Sequence, residues 1–210
     1  MASFRLTQRQ WRIYLTVWLV ALAAVTGTLV GLTVPRLLAK APPPALSGGV
    51  IINPHVPAPS FTLRDQRGGM VSPSDLRGRV IALTFLDTQC QQLCPLQASL
   101  LGTVQSDLGS SAPFSVVVVS VHPEADNPAS IATFASAHGL KAGFYWLTGP
   151  RPQLASVWDS YGVGVQVANG DLTHSSIIYL IDRTGDERVA FADVPEAASV
   201  EGDVRYLEAG

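Results

Sequence analysis

The chain carries two thiols, Cys90 and Cys94, and both fall in one stretch, FLDTQCQQLCPL. The pair follows an apolar run and stands at the mouth of a helical pattern. A separation of four returns to the same face of a helix, so the two sulfurs can converge there. Free amide N–H groups and the dipole at that end favour thiolate, the form that acts as nucleophile and as metal ligand. Three chemistries use such a pair. One is a structural disulfide, but closing so short a loop yields only roughly 2 kcal/mol. A redox dithiol is the second, although the spacing departs from the usual C-x-x-C. The third is a metal site. Zinc takes four ligands in structural sites and three plus water in catalytic ones. Two thiolates and one imidazole suit copper better, because thiolate selects Cu(I) and imidazole tolerates Cu(II).

Four histidines could complete such a site. His55 lies in a proline-rich segment and reads as solvated. His138 ends a helix, where a cation suits the dipole, and reads as structural. His122 follows a buried strand in VSVHPEADNP, and the ends of neighbouring parallel strands cluster. His174, in GDLTHSSIIYLID, stands on the loop leading into a later strand. Taken by themselves, His122 and His174 read more readily as hydrogen-bonded surface residues than as ligands.

The elements that must position these groups follow from periodicity. Phe61 and Leu63 alternate with polar residues, Gly68 and Gly69 turn the chain, and Met70-Val71 returns, which reads as a hairpin. VIALTFLD and FSVVVVSV are continuous apolar runs, the pattern of strands buried on both faces. Between them Leu96, Leu100, Leu101, Val104 and Leu108 recur at helical spacing until Gly109. NPASIATFASAHG reads as a helix with Asn127 as N-cap, Pro128 at the first position and Gly139 as the stop. FYWLTG is a strand and RPQLASVWDSYG a helix. SSIIYLIDRTGDERVAFAD is a strand, a turn at Gly185 and a strand. This alternation predicts an α/β domain over residues 60–195 with a central mixed, mostly parallel sheet flanked by helices and an N-terminal β-hairpin. Residues 196–210 form a C-terminal tail with room for a short helix.

Ahead of that domain lies a different kind of sequence. Residues 13–34 carry no charge and, as a helix, span roughly 33 Å, enough for a bilayer core. Trp11, Tyr14 and Trp18 sit where interfacial aromatics belong. Arg5, Arg9 and Arg12 precede the run, which favours a cytoplasmic N-terminus over residues 1–12. The run is longer than a signal-peptide core, and AKA at 39–41 is followed by Pro42, a poor residue after a scissile bond. An uncleaved single-pass transmembrane helix is therefore expected. Residues 35–59 are rich in proline and glycine and read as a tether that carries no regular helix or sheet. The net charge of −2 provides no basic face for nucleic acid.

The motifs FTL, LRGRVIALTFLDTQCQQLCPL, VVVVSVHPEADNP, LTG and THSSIIYLID occur in an order and spacing that resembles the Sco/SenC family. Its members are membrane-anchored, thioredoxin-like copper proteins that help assemble the dinuclear copper centre of cytochrome c oxidase. The resemblance covers residues 57–193 and the anchor. It implies a thioredoxin-like fold, a copper ion, and Cys90, Cys94 and His174 as its ligands. It also implies as partners the copper-bearing oxidase subunit and a thiol reductant, beside the membrane lipid around the N-terminal helix. With the N-terminus cytoplasmic the domain is expected on the extracytoplasmic side. The short, acidic-free stretch ahead of the span leaves little room for an organelle presequence, so the expected membrane is a bacterial plasma membrane. The chain departs from the family at four places. Gln91 replaces the proline after the first cysteine, and Thr173 the aspartate before the histidine. His122 and Asn127 replace an aspartate and a threonine after the second strand. Loss of an acidic group beside His174 alters how the ring is oriented, and His122 is a candidate to compensate or to serve as a fourth ligand.

The alternative from another class is a thiol–disulfide oxidoreductase or peroxide reductase, with Cys90 attacking and Cys94 resolving. Against it, Ser176 stands where thioredoxin-fold relatives carry a cis-proline. Thr88 also lies one residue too close to Cys90 for the peroxiredoxin motif. A tethered binding domain with an inert disulfide is the third reading.

Overall fold

The computed structural model describes residues 45–46, 48–168 and 171–210, together with Trp11, Val17, Trp18, Leu19, Ala21 and Leu22. The chain divides into two units, 1–42 and 43–210. In the first, the six described residues are helical and exposed. Most of the expected span over 13–34 lies outside the described residues, and no helix among those described is long and apolar enough to cross a membrane.

The second unit is built on β4 (Val80–Leu86) and β5 (Phe114–Ser120), each buried along its whole length. Period-two alternation divides their side chains between two cores. Val80, Ala82 and Leu86 face a layer made by α1 (Leu93–Leu108), α2 (Pro128–Ala137) and α4 (Ala197–Ala209). Ile81, Leu83 and Phe85 face α3 (Arg151–Ser160) and the β2–β3 hairpin (Leu63–Asp65, Met70–Val71). Covering both faces with helices explains why these strands lack polar alternation. The expected caps are in place: the Asn127 side chain accepts from the amides of Ala129 and Ser130, with Pro128 at the first turn of α2.

The sheet is mixed, but it is not mostly parallel. Its order is β1-β10-β9-β4-β5-β6-β2-β3, with β1 at Val50–Pro57, β6 at Tyr145–Thr148, β9 at Ile177–Ile181 and β10 at Asp186–Ala192. Only β4–β5 and β5–β6 pair in parallel. The β9–β10 hairpin adds antiparallel to one side of β4, and β2–β3 to the far edge of β6. Helical crossovers force parallel pairing only where they occur, and the hairpins flanking them bring antiparallel neighbours.

Two other expectations are corrected, and one further element appears. Part of the expected tether, Val50–Pro57, is strand β1, paired with β10 across an irregularity between Ile51 and Val56. An edge strand needs only alternate amides, so prolines are tolerated there. Residues 197–209 are no tail: α4 buries Val200, Val204 and Leu207 in the main core. A further two-stranded sheet, β7 (Val165–Ala168) with β8 (Asp171–His174), was not expected. Its sequence signal is the Asn-Gly pair between two alternating runs.

Helix α1, which carries Cys94, is seated by Gly102. A Cβ there would lie 2.6 Å from the carbonyl oxygen of Gly139 and 2.8 Å from its carbon. Both obstacles are backbone, so Gly102→Ala should destabilise the domain by about 1–3 kcal/mol. Equilibrium urea unfolding measures this, and an unchanged midpoint would contradict the close approach.

Candidate metal centre

The site is assembled where β4 and β5 end and where β8 turns into β9. Cys90 does not share a helix with Cys94. It lies in the loop between β4 and α1, and Cys94 is the second residue of the helix. Convergence comes instead from Asp87, the first residue beyond β4, which is buried. Its Oδ1 accepts from the amides of Gln89 at 2.5 Å and Cys90 at 3.0 Å. Those two bonds fold the loop back toward the helix. One carboxylate oxygen of Asp87 and the sulfurs of Cys90 and Cys94 then lie within 4.8 Å of one another.

His174, the last residue of β8, reaches the same sulfur from across the fold. Its Nε2 is 3.5 Å from Cys94 Sγ. Its Nδ1 is 3.0 Å from the carbonyl oxygen of Ser175. A carbonyl can only accept, so Nδ1 donates to it, and Nε2 is the ring nitrogen aimed at Cys94. Metal-binding histidines are commonly held this way, with the second ring nitrogen bonded to a carbonyl or carboxylate. The backbone carbonyl does here what the aspartate missing at Thr173 was expected to do.

Three hydrogen-bonded features hold the His174 segment in place, one each from α1, β4 and the start of β7. Gln97, buried one turn into the helix, donates from Nε2 to Ser176 Oγ at 2.8 Å and to the Asp193 carbonyl at 2.6 Å. Thr84 of β4 donates to the Ile177 carbonyl at 2.8 Å. Ser175 exchanges backbone and side-chain bonds with Gly164, tying β8 to the start of β7. Sequence reading passed over Gln97. Its signal was a polar residue on the apolar face of α1, at a position that must be buried.

The electrostatics differ from the expected ones. Helix-end amides were expected to favour thiolate. Cys94 is fully buried, and burial together with its contact to the Cys90 side chain pushes its thiol well above the ordinary range. Desolvation therefore outweighs the helix end, and Cys94 holds its proton until a cation displaces it. Cys90 is only partly buried, and both cysteines are free thiols.

His122 stands at the end of β5 as expected, but its Nδ1 approaches Asp87 Oδ1 at 3.7 Å. Neither it nor His174 joins the mutual cluster of Asp87, Cys90 and Cys94, and His174 reaches that cluster through Cys94 alone. The loop bearing it is pinned by Asp126. That buried carboxylate accepts from Ser120 Oγ at 2.6 Å and from the Thr88 amide at 2.8 Å. His55 is not simply solvated: it lies on β1 with Nε2 3.3 Å from Asp186. His138 caps α2 and packs its ring on Phe134.

An α/β sheet with a dithiol at the mouth of a helix, and an imidazole brought to it from a distant hairpin, defines a thioredoxin-like domain built for thiol or soft-metal chemistry. Residues 53–207 match the SCO1/SenC family model, and the chain belongs to that family. Copper-bound ScoI of Bradyrhizobium japonicum is similar in structure, with a TM-score of 0.64 at 26% identity over 72% of this chain and 99% of that one. A Mycobacterium tuberculosis protein provisionally named a peroxiredoxin is 33% identical over 111 residues, 53% of this chain and 66% of its own length. A SCO2-like protein of Rickettsia felis is 29% identical over 133 residues, 60% of this chain and 64% of its own length. The chain thus spans just under two thirds of the length of these curated relatives.

Removing Gln97 should loosen the His174 segment. Gln97→Leu leaves Ser176 and the Asp193 carbonyl without their buried donor, which should cost about 1–3 kcal/mol. It should also broaden the His174 ring resonances in NMR spectra. A variant as stable as wild type, with unchanged His174 signals, would remove Gln97 from this role.

Proposed function

We propose that the chain is a membrane-tethered copper carrier of the Sco/SenC type. One observation carries the reading: the Cys94 sulfur is shared by Cys90 on one side and His174 Nε2 on the other. Two soft sulfurs and an unprotonated imidazole nitrogen form a donor set that selects Cu(I). Family membership and the copper-bound relative at 26% identity support the same assignment.

In this reading copper is cargo. Cu(I) displaces the thiol protons of Cys90 and Cys94, and His174 Nε2 closes the coordination. The ion leaves by ligand exchange to the copper-bearing subunit of a cytochrome c oxidase, and a thiol reductant keeps the cysteines reduced between cycles. The apolar run over 13–34 anchors the chain in the bilayer, with its N-terminus cytoplasmic and the domain outside. The proline-rich segment ahead of β1 gives the domain its reach.

A second reading rests on the contrast between the thiols. Cys90 is accessible and Cys94 sealed, the arrangement of an attacking and a resolving thiol. The Cys90 thiolate would open a partner disulfide, releasing one partner thiol. Cys94 would then displace the second, leaving an oxidised Cys90–Cys94 pair and a reduced partner. The peroxiredoxin name of one relative points the same way.

Titrating the reduced full chain in detergent with Cu(I), in competition with a chromophoric chelator, separates the two. The carrier reading expects one equivalent bound, with affinity lowered at least tenfold in His174→Ala. Because two thiol protons must leave, apparent affinity should fall about a hundredfold per unit of decreasing pH around neutrality. Disulfide turnover that ignores His174, with no stoichiometric copper retained, would favour the second reading.

A further inference from the structure

Resting on the copper-site reading above, we propose that Asp87 is a fourth donor that engages a divalent ion and stands aside for Cu(I). Asp87 is buried at the end of β4, and a carboxylate oxygen lies within 4.8 Å of both sulfurs. Among the described residues, its contacts with the Gln89 amide, the Cys90 amide and His122 Nδ1 all fall on Oδ1. One oxygen holds the turn, and Oδ2 keeps its lone pairs.

Charge and donor hardness decide when those lone pairs are used. Two thiolates and Cu(I) carry a net charge of −1 between them. Adding the nearby carboxylate takes the cluster to −2, a costly excess in a site this buried. A divalent ion with two thiolates and the carboxylate carries −1, and the balance is restored. Carboxylate oxygen is also a hard donor, suited to divalent ions and poorly matched to Cu(I). Asp87, Cys90 and Cys94 already stand together, and His174, which touches Cys94 alone, has only to swing inward to complete the four-coordinate set that a divalent ion takes. The residue that folds the loop thus also sets the preference of the site between monovalent and divalent ions. His122, the other unusual residue at this end of the sheet, stands next to Asp87 and acts through it, orienting the carboxylate.

The substitution Asp87→Asn tests this, because the amide oxygen still accepts from the Gln89 and Cys90 amides while the negative donor is lost. The full chain is reduced in detergent and titrated separately with Cu(I) and with Co2+, a divalent probe that neither oxidises thiols nor changes valence under these conditions. The proposal expects Co2+ affinity to fall at least tenfold in the variant, with altered d–d bands, and Cu(I) affinity to stay within twofold. Unchanged Co2+ binding would overturn it. So would an equal loss for both ions, which would mean that Asp87 acts only by shaping the loop. Infrared difference spectra of the wild-type chain labelled with 13C at the aspartate carboxylates need no variant. A carboxylate stretch should shift on Co2+ loading and remain in place on Cu(I) loading; no shift with Co2+ contradicts the proposal. Failure of the wild-type chain to bind Cu(I) would instead defeat the carrier reading, so the two outcomes are separable.

Discussion

The Cys94 sulfur is the point at which three distant segments meet. The helix supplies it, the Asp87 turn brings Cys90 beside it, and the β7–β8 hairpin carries His174 Nε2 to 3.5 Å from it. A soft-metal site needs its donors to face one point before the ion arrives, since ordering them afterwards costs binding energy. Here the placing of His174 beside Cys94 is built from hydrogen bonds of the buried Gln97 and Thr84 side chains. Gln97 ties α1 to the segment just beyond His174, and Thr84 ties β4 to β9 directly below. Each bond is modest alone, but breaking any of them strands a buried polar group.

Burial gives the same sulfur its second property. A thiol exposed at a helix end would ionise readily and react with passing oxidants. Sealed in the core, Cys94 stays protonated, while Cys90 provides the accessible face of the pair. In the carrier reading, an incoming cation would meet the more accessible Cys90 sulfur before the buried one.

Much of the frame was legible because burial on both faces leaves an unmistakable mark. The continuous runs of β4 and β5, the Asn127 cap and the β9–β10 turn follow from local chemistry. Strand β1 was hidden by its prolines, which an edge position tolerates. The orientation of the outer strands depends on which edges the hairpins choose, and no short window of sequence encodes that. At the site, composition and spacing singled out Cys90 and Cys94, but His174 stood out only through family resemblance. Its approach to Cys94 is a tertiary event spanning 80 positions. The role of Asp87 was missed for the opposite reason. A separation of four suggests that a helix aligns the cysteines, and nothing in the local sequence marks Asp87 as the residue that folds the loop instead. The shift of the Cys94 thiol was misjudged because a helix end and full burial push in opposite directions, and only the structure says how buried the sulfur is.

Copper K-edge X-ray absorption on the reduced, Cu(I)-loaded chain tests the central convergence most directly. The account predicts a three-coordinate edge with two sulfur scatterers and one imidazole nitrogen in the first shell. Two sulfurs alone in a linear site, with no imidazole scattering, would contradict it, because His174 would then stand outside the coordination that the whole arrangement serves.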